Sequence, residues 1–231
     1  MHSNPALCEH ITKVIQTVHQ CEKDSGRREG CVTVLAVSKT RPVALIKDAI
    51  NCGMTAFGEN YAQELEQKVN TIGQANTEWH FIGPIQSNKT RLLANSAHWI
   101  HSIDRLKIIR RLAEQRAPAL PALQLCLQVN IDQETTKAGV QPEDLGQLAD
   151  EITKFDNLHL RGLMAIPHKT NNETEQRLAF SRVRQAFERL QQQGHDLDTL
   201  SMGMSGDYEA AIAEGATIVR IGTSIFGPRV Q

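Results

Sequence analysis

The feature that most constrains the fold is a repeated alternation of a short apolar run with a longer amphipathic helical pattern. The first run, at residues 32–37, is rich in β-branched side chains and free of charge, which is typical of a strand buried on both faces. Strands of this kind belong to parallel sheets covered by helices. Seven similar runs follow, at residues 55–58, 79–83, 99–103, 125–129, 160–165, 199–203 and 218–222.

Helical patterns separate these runs, for example at residues 43–52, 104–115, 142–153 and 175–193. Eight βα units in 231 residues favour a TIM (β/α)8 barrel, an α/β fold, over an open doubly wound sheet. The Rossmann alternative lacks a G-x-G-x-x-G motif after the first strand. We therefore predict a single barrel domain over residues 1–231, in which residues 1–30 form an N-terminal helix and a connector. Asn4 and Pro5 are the predicted start of that helix.

The charge balance excludes a protein that binds nucleic acid through net positive charge, because 25 Lys and Arg oppose 26 Asp and Glu. The sequence contains neither a run of about 18 apolar residues nor a pattern like that of a signal peptide. We therefore expect a soluble, cytoplasmic protein that does not bind membranes.

The five cysteines are odd in number, widely spaced and never in a C-x-x-C pair, so we expect neither a disulfide framework nor a zinc site. This cysteine usage fits a reducing compartment. His98 and His101 are three apart on a predicted strand, which sends their rings to opposite faces. No metal site is predicted.

The reactive residues of a TIM barrel lie where strands end and loops begin, at the C-terminal face. Lys39 follows the first strand, where partial desolvation would lower the pKa of its amine and favour a Schiff base with a carbonyl compound. The alternative is a strand-end lysine whose ammonium simply reaches solvent.

Two further loops could bind phosphate. Ser205, Gly222 and Thr223 follow the seventh and eighth strands, where TIM barrels frequently bind phosphate through backbone N–H groups and hydroxyls. Ordinary turn chemistry explains the same composition equally well.

Arg220 lies inside the eighth apolar run, where an unpaired charge would be costly. Its partner is therefore either a ligand in the barrel mouth or an internal carboxylate, Glu59 or Asp207.

Six separated blocks together resemble the pyridoxal phosphate homeostasis protein family, and the resemblance extends from about residue 30 to residue 229. The joint occurrence of all six is far more specific than any one of them. The blocks are AVSKT at 36–40, FGENY at 57–61, WHFIGPIQSNK at 79–89, RGLM at 161–164, SMGMSGD at 201–207 and RIGTSIFG at 220–227.

The resemblance implies a barrel similar to the N-terminal domain of alanine racemase, with pyridoxal 5′-phosphate (PLP) bound as a Schiff base on Lys39. It also implies phosphate contacts from Ser205 and from the backbone of Gly222 and Thr223, and it places Arg220 at the pyridine nitrogen. Asn60 and Met204 match positions near the cofactor ring. His80 belongs to one of the blocks, but its role stays open.

Two functions fit these residues. The first is a non-catalytic carrier or regulator in vitamin B6 homeostasis, monomeric, with PLP-dependent apo-enzymes as possible recipients. The second is a PLP enzyme such as an amino-acid racemase, which needs acid–base groups on both faces of the cofactor. We favour the carrier, because only Tyr61 and Tyr208 are available as tyrosines and the sequence is too short for the second domain of a racemase.

Overall fold

A computed structural model describes residues 4–73, 76–134 and 137–228; position 229, where the resemblance ends, lies outside them. Each strand pairs in parallel with the next, and β8 pairs with β1, so the sheet closes into a TIM barrel as predicted. The strands are β1 Thr33–Val37, β2 Ala56–Glu59, β3 Glu78–Phe81, β4 Trp99–Ile103, β5 Leu123–Val129, β6 Leu158–Ala165, β7 Thr199–Met204 and β8 Ile218–Ile221.

Helices surround the barrel, and the predicted helical segments are confirmed within one to three residues at each end. None of the described helices combines the length and apolarity needed to span a bilayer. The helices are α1 Pro5–Asp24, α2 Val43–Asn51, α3 Ala62–Ile72, α4 Thr90–Ser96, α5 Leu106–Gln115, α6 Leu145–Ile152, α7 Glu173–Gln192, α8 Tyr208–Ala213 and α9 Thr223–Phe226, with short 3-10 helices at Ser87–Lys89 and Pro142–Asp144.

The N-terminal helix α1 begins as predicted, because the Asn4 side chain accepts a hydrogen bond from the Leu7 N–H at 3.3 Å and Pro5 opens the first turn. Its apolar face is buried against α8 and α9. At its C-terminal end, the buried Glu22 accepts hydrogen bonds from the backbone N–H groups of Gly30 and Val32. These bonds attach the connector to the start of β1.

A disulfide between Cys8 and Cys52 corrects the expectation drawn from the cysteine pattern. Cys8 lies on α1, and Cys52 is the residue that ends α2. Their sulfurs come together because α1 packs against α2, which is a tertiary contact that the number and spacing of cysteines do not encode. The expectation that the cysteines form no disulfide is therefore wrong.

The two faces of the sheet differ in character. Side chains that point outward, such as Ala36, Phe57 and Trp79, pack against the helices in one large apolar core. Alternate side chains point into the barrel, where small apolar clusters such as Leu35, Ala56 and Ile218 occur together with buried polar groups. The polar interior includes His80, His101, Ser201 and Arg220.

Candidate functional site at the C-terminal mouth of the barrel

The seven predicted site residues all lie at the C-terminal end of the barrel. Because β8 and β2 are the two neighbours of β1, the residues that follow these three strands are adjacent. They bring Gly222, Lys39 and Asn60 to one side of the mouth. Met204 ends β7, Ser205 follows it, and Arg220 lies in β8, whose end leads to Thr223 at the start of α9.

Two glycines allow close backbone contacts around this side of the mouth. A Cβ atom on Gly222 would lie 3.2 Å from the carbonyl oxygen of Val37, two residues before Lys39. A Cβ atom on Gly83 would lie 2.1 Å from the carbonyl oxygen of Asn60, which leaves no room for any side chain. The backbone after β3 is therefore in close contact with the loop that carries Asn60, and the backbone after β8 with the residues just before Lys39.

The turn that carries Lys39 is held through its backbone. Thr40 has a φ of 63°, a left-handed conformation that is unusual for a β-branched residue. The Thr40 N–H donates to Glu64 Oε1 at 2.6 Å, and the carbonyl of Ser38 accepts from Lys68 Nζ at 2.8 Å. Lys39 itself is half-buried between these two anchored residues.

A buried ionic cluster supplies these anchors. Lys68 Nζ lies 2.7 Å from Glu59 Oε1 and 2.7 Å from Glu64 Oε1, and the Ser38 hydroxyl donates to Glu59 Oε1 at 2.5 Å. Burial raises the pKa of Glu59 from 4.5 to about 7 even though Lys68 opposes the shift, and no described residue hydrogen-bonds its other oxygen, Oε2.

The cluster was not foreseen from the sequence. The only feature of the cluster that the sequence shows is the i,i+4 spacing of Glu64 and Lys68. Exposed ion pairs on helices have the same spacing, so it does not indicate a buried cluster. We call Ser38, Glu59, Glu64 and Lys68 the β1 anchor.

Arg220 is fixed directly by neutral groups. Its Nη1 donates to the carbonyl oxygen and the hydroxyl of Ser201 at 2.6 and 2.9 Å, and Nη2 donates to the carbonyl oxygen of Ala165 at 2.9 Å. Burial lowers the pKa of Arg220 to about 10, so it stays charged at neutral pH. Neither expected ion pair, to Glu59 or to Asp207, forms among the described residues, although the Asp207 charge acts on the guanidinium from a longer distance.

The loop after β7 is capped by Asp207, whose Oδ1 accepts from the Met204 N–H at 2.6 Å. Ser205 and Gly206 are exposed next to a cavity of about 330 Å³ that Asp207 and Tyr208 also line. On the adjacent loop, after β8, the backbone N–H of Thr223 belongs to the first turn of α9 and has no intrahelical acceptor. Donors that suit an anion are therefore available on both loops.

Two amide oxygens at the mouth lack a partner. Asn60 Oδ1 and Asn130 Oδ1 are buried and accept no hydrogen bond from any described residue. Buried polar atoms of folded proteins are nearly always paired, so such atoms mark places where a ligand or water completes the site. Asn130 follows β5 and adds to the predicted set.

His80 does not lie at the mouth. It is fully buried in the barrel interior, where its ring nitrogens contact Glu78 and His101. His98 lies just before β4, and its Nδ1 accepts from the Trp79 N–H.

The sequence profile of the alanine racemase N-terminal domain matches residues 18–230. A pyridoxal phosphate homeostasis protein from Pseudomonas aeruginosa is 51% identical over 223 residues, which cover 96% of each chain. A protein of the same name from Escherichia coli K12 is 44% identical and covers 96% of this chain and 97% of its own. The chain therefore belongs to the pyridoxal phosphate homeostasis protein family, within the wider group of alanine racemase-like barrels.

Solved structures agree with this placement. PipY from Synechococcus elongatus, with PLP bound, superposes with a TM-score of 0.82 at 32% identity and covers 96% of this chain and 100% of its own. Alanine racemase from Corynebacterium glutamicum shares the fold, with a TM-score of 0.72 at 14% identity, and this chain covers 62% of it.

Proposed function

We propose that this protein binds PLP at the C-terminal mouth, holds it as a Schiff base on Lys39, and acts in cytoplasmic PLP homeostasis as a carrier. The observation that carries the proposal is the convergence on adjacent strands of an anchored lysine turn after β1, a buried arginine in β8 and a glycine contact between them. The names of the relatives and the PLP in the PipY structure support the same function.

The residues of the mouth fit this cofactor. The Oδ1 of Asn60, which accepts no hydrogen bond from the described residues, and the exposed side chain of Met204 are both available to contact the ring. The Ser205 hydroxyl and the backbone N–H groups of Gly222 and Thr223 suit a phosphate dianion. Arg220 would face the pyridine nitrogen from the barrel interior.

Arg220 favours carrying over catalysis. When bound, PLP supplies an aldehyde that reacts with amines and a pyridine ring that withdraws electrons most strongly when its nitrogen is protonated. An arginine has only N–H donors and keeps its proton at neutral pH, so it can donate to the ring nitrogen but cannot stabilise a proton there. We therefore propose a protein that holds the aldehyde without turning over amino acids, with PLP-dependent apo-enzymes as recipients.

The first test is borohydride reduction of the PLP-loaded protein, followed by peptide mapping. We expect the adduct on the peptide that contains Lys39, and none in Lys39→Ala. The variant Lys89→Ala, which changes another lysine near the mouth, should keep the adduct. An adduct found only on Lys89 or Lys137 would refute the assignment.

The second test addresses the phosphate. Ser205→Ala removes a hydrogen bond to a charged group, worth about 1.5–3 kcal/mol, or roughly a ten- to hundredfold loss of PLP affinity. Ser181→Ala, on α7, is the matched control and should bind normally. Equilibrium dialysis should also show far weaker binding of pyridoxal than of PLP, and equal affinities for the two compounds would contradict the phosphate contacts.

The third test separates a carrier from an enzyme. We expect incubation of the PLP-loaded protein with L-alanine in D₂O to give little α-deuteration and little loss of chirality. Turnover at ordinary enzymatic rates, about 1–10³ per second, would favour the racemase instead.

A further inference from the structure

A continuous chain of hydrogen bonds crosses the barrel interior and ends at Arg220. Glu78, the first residue of β3, lies at the opposite, N-terminal end of the barrel, where its side chain is 48% exposed. Its Oε2 lies 3.1 Å from Nε2 of His80, whose Nδ1 lies 2.9 Å from Nε2 of His101. Nδ1 of His101 then lies 2.8 Å from the Ser201 hydroxyl, which accepts from Arg220 Nη1 at 2.9 Å.

The two ends of this chain fix the role of every atom between them. The hydrogen bond from His80 lowers the pKa of Glu78 to about 2, so Glu78 is a carboxylate that can only accept. Burial lowers the pKa of both His80 and His101, so each ring is neutral and carries one N–H. His80 must donate from Nε2 to Glu78, which leaves its Nδ1 as an acceptor.

The same logic continues through the second ring. His101 must donate from Nε2 to His80 Nδ1, so its own Nδ1 accepts from the Ser201 hydroxyl. That hydroxyl has no second proton to donate, and its lone pair accepts from Arg220, which has only donors. All four hydrogen bonds therefore run in one direction, from the guanidinium at the mouth to the carboxylate at the opposite end.

The surroundings keep the chain in place. Trp99 stacks on His80 with ring centroids 5.4 Å apart, and its Nε1 donates to Glu78 Oε1 at 2.9 Å. The guanidinium of Arg161 covers the other side, 4.8 Å from the centre of the Trp99 ring. His80, His101 and Ser201 are all at most 1% exposed, so solvent does not compete for their hydrogen bonds.

We propose that Glu78 is a positioning residue for Arg220: as the last acceptor of the chain it favours the arrangement of His80, His101 and Ser201 in which the Ser201 hydroxyl donates to His101 and leaves its lone pair for the guanidinium. The effect on a bound pyridine nitrogen rests on the proposed function, whereas the direction of the hydrogen bonds does not. A carboxylate at one end of the barrel thus supports the guanidinium at the other end.

The test begins with the ligand-free protein. In ¹⁵N–¹H spectra of the histidine rings at pH 7, wild-type His80 and His101 should both carry the proton on Nε2. In Glu78→Gln the amide oxygen can still accept from His80, and Arg220 still donates to Ser201, so both rings should keep the Nε2 proton. Their ring resonances should shift, because the charged acceptor at the end of the chain is lost. Asp156→Asn, at an exposed position in the loop before β6, removes a negative charge at the same end of the barrel away from the chain, and it should leave the ring resonances unchanged.

The wild-type spectrum alone tests the proposal if Glu78→Gln does not fold. An Nδ1 proton on either wild-type ring would overturn it, and so would a folded Glu78→Gln in which the resonances of both rings stay at their wild-type positions.

The second arm uses protein loaded with PLP labelled with ¹⁵N in the ring. Glu78→Gln should shift the ring-nitrogen resonance and Asp156→Asn should not. Ser201→Ala, which interrupts the chain, should abolish the response to Glu78→Gln. A shift that persists in the double variant would overturn the coupling. If the protein fails to bind PLP in any form, the proposed function is refuted. The spectra of the ligand-free protein would still test the direction of the hydrogen bonds.

Discussion

Lys39 and Arg220 lie on neighbouring strands at the same mouth, yet the protein holds them by opposite means. The Arg220 side chain is buried and bonded directly to carbonyl and hydroxyl oxygens. The Lys39 side chain is half-buried, and the rigid part is its backbone, held on both sides by the β1 anchor. In the proposed function Lys39 forms and releases a covalent bond, which a fixed backbone supports, whereas Arg220 orients a ring, which a fixed guanidinium supports.

Because of this difference, a substitution at Arg220 should affect both the stability of the fold and the site, whereas a substitution at Lys39 should affect mainly the site. The hydrogen bonds of Arg220 form part of the folded barrel, so changing Arg220 affects both the fold and the site. Changing Lys39 removes a reactive amine but leaves the anchor in place, because the anchor contacts the backbone of Ser38 and Thr40. The following predictions test that separation, from the largest expected effect to the smallest.

The largest effect is expected on comparing Arg220→Met with Lys39→Met. Arg220→Met removes three hydrogen bonds from a charged donor, each worth about 1.5–3 kcal/mol before the cost of burying the guanidinium is subtracted. We expect the free energy of unfolding to fall by roughly 3–5 kcal/mol. Lys39→Met should lower it by about 1 kcal/mol or less. Urea unfolding measures both, and similar losses would contradict the comparison.

Breaking the β1 anchor should have the next largest effect. Lys68→Met leaves Glu59 buried without its cation, and we expect a loss of roughly 3 kcal/mol in the free energy of unfolding. Adding Glu59→Gln should recover part of it, because the unpaired carboxyl is then gone. Lys47→Met, at an exposed position on α2, is the control and should change little. Additive losses in the double variant would show that the two side chains do not interact.

The third effect, at most as large as that of Lys68→Met, is a pH dependence of stability that Glu59 contributes. Its carboxyl binds a proton more tightly in the folded protein, with a pKa of about 7, than in the unfolded chain at 4.5. The proton therefore favours the folded state at low pH, and this advantage is lost as the pH rises from about 4.5 to 7.

Between those pH values, the wild type should lose up to about 3 kcal/mol relative to Glu59→Gln. Glu66→Gln, at an exposed position on α3, should follow the wild type in thermal unfolding. An unchanged difference between wild type and Glu59→Gln across this range would contradict the shift.

The sequence predicts the barrel and the residues at its mouth because both follow local rules. Apolar runs of strand length mark β1 to β8, and the residue after each run must lie at the C-terminal face. The hydrogen-bond partners of these residues, in contrast, could not be predicted from the sequence. Lys68 reaches Ser38 across 30 positions and His101 reaches Ser201 across 100, and no local pattern distinguishes such pairs from surface charges or core histidines.

The expected partners of Arg220 illustrate the same limit. Glu59 and Asp207 are the carboxylates near it in the strand-end pattern, but the guanidinium is held by carbonyl oxygens, which every residue possesses. Every residue has a backbone carbonyl, so the amino-acid sequence does not show which carbonyls accept a hydrogen bond from a buried charge. For this reason a buried charge can be recognised from sequence more readily than its partner can.

The disulfide between Cys8 and Cys52 has a consequence for how reduction would act on the protein. A cross-link that spans 44 positions restricts the unfolded chain, and its loss increases the entropy of that chain by an amount worth about 4 kcal/mol. The folded state would change little, because α1 remains docked through the buried side chains of Leu7, Ile11, Val14 and Val18. Thiol reductants should therefore lower the melting temperature while the affinity for ligands at the mouth stays the same.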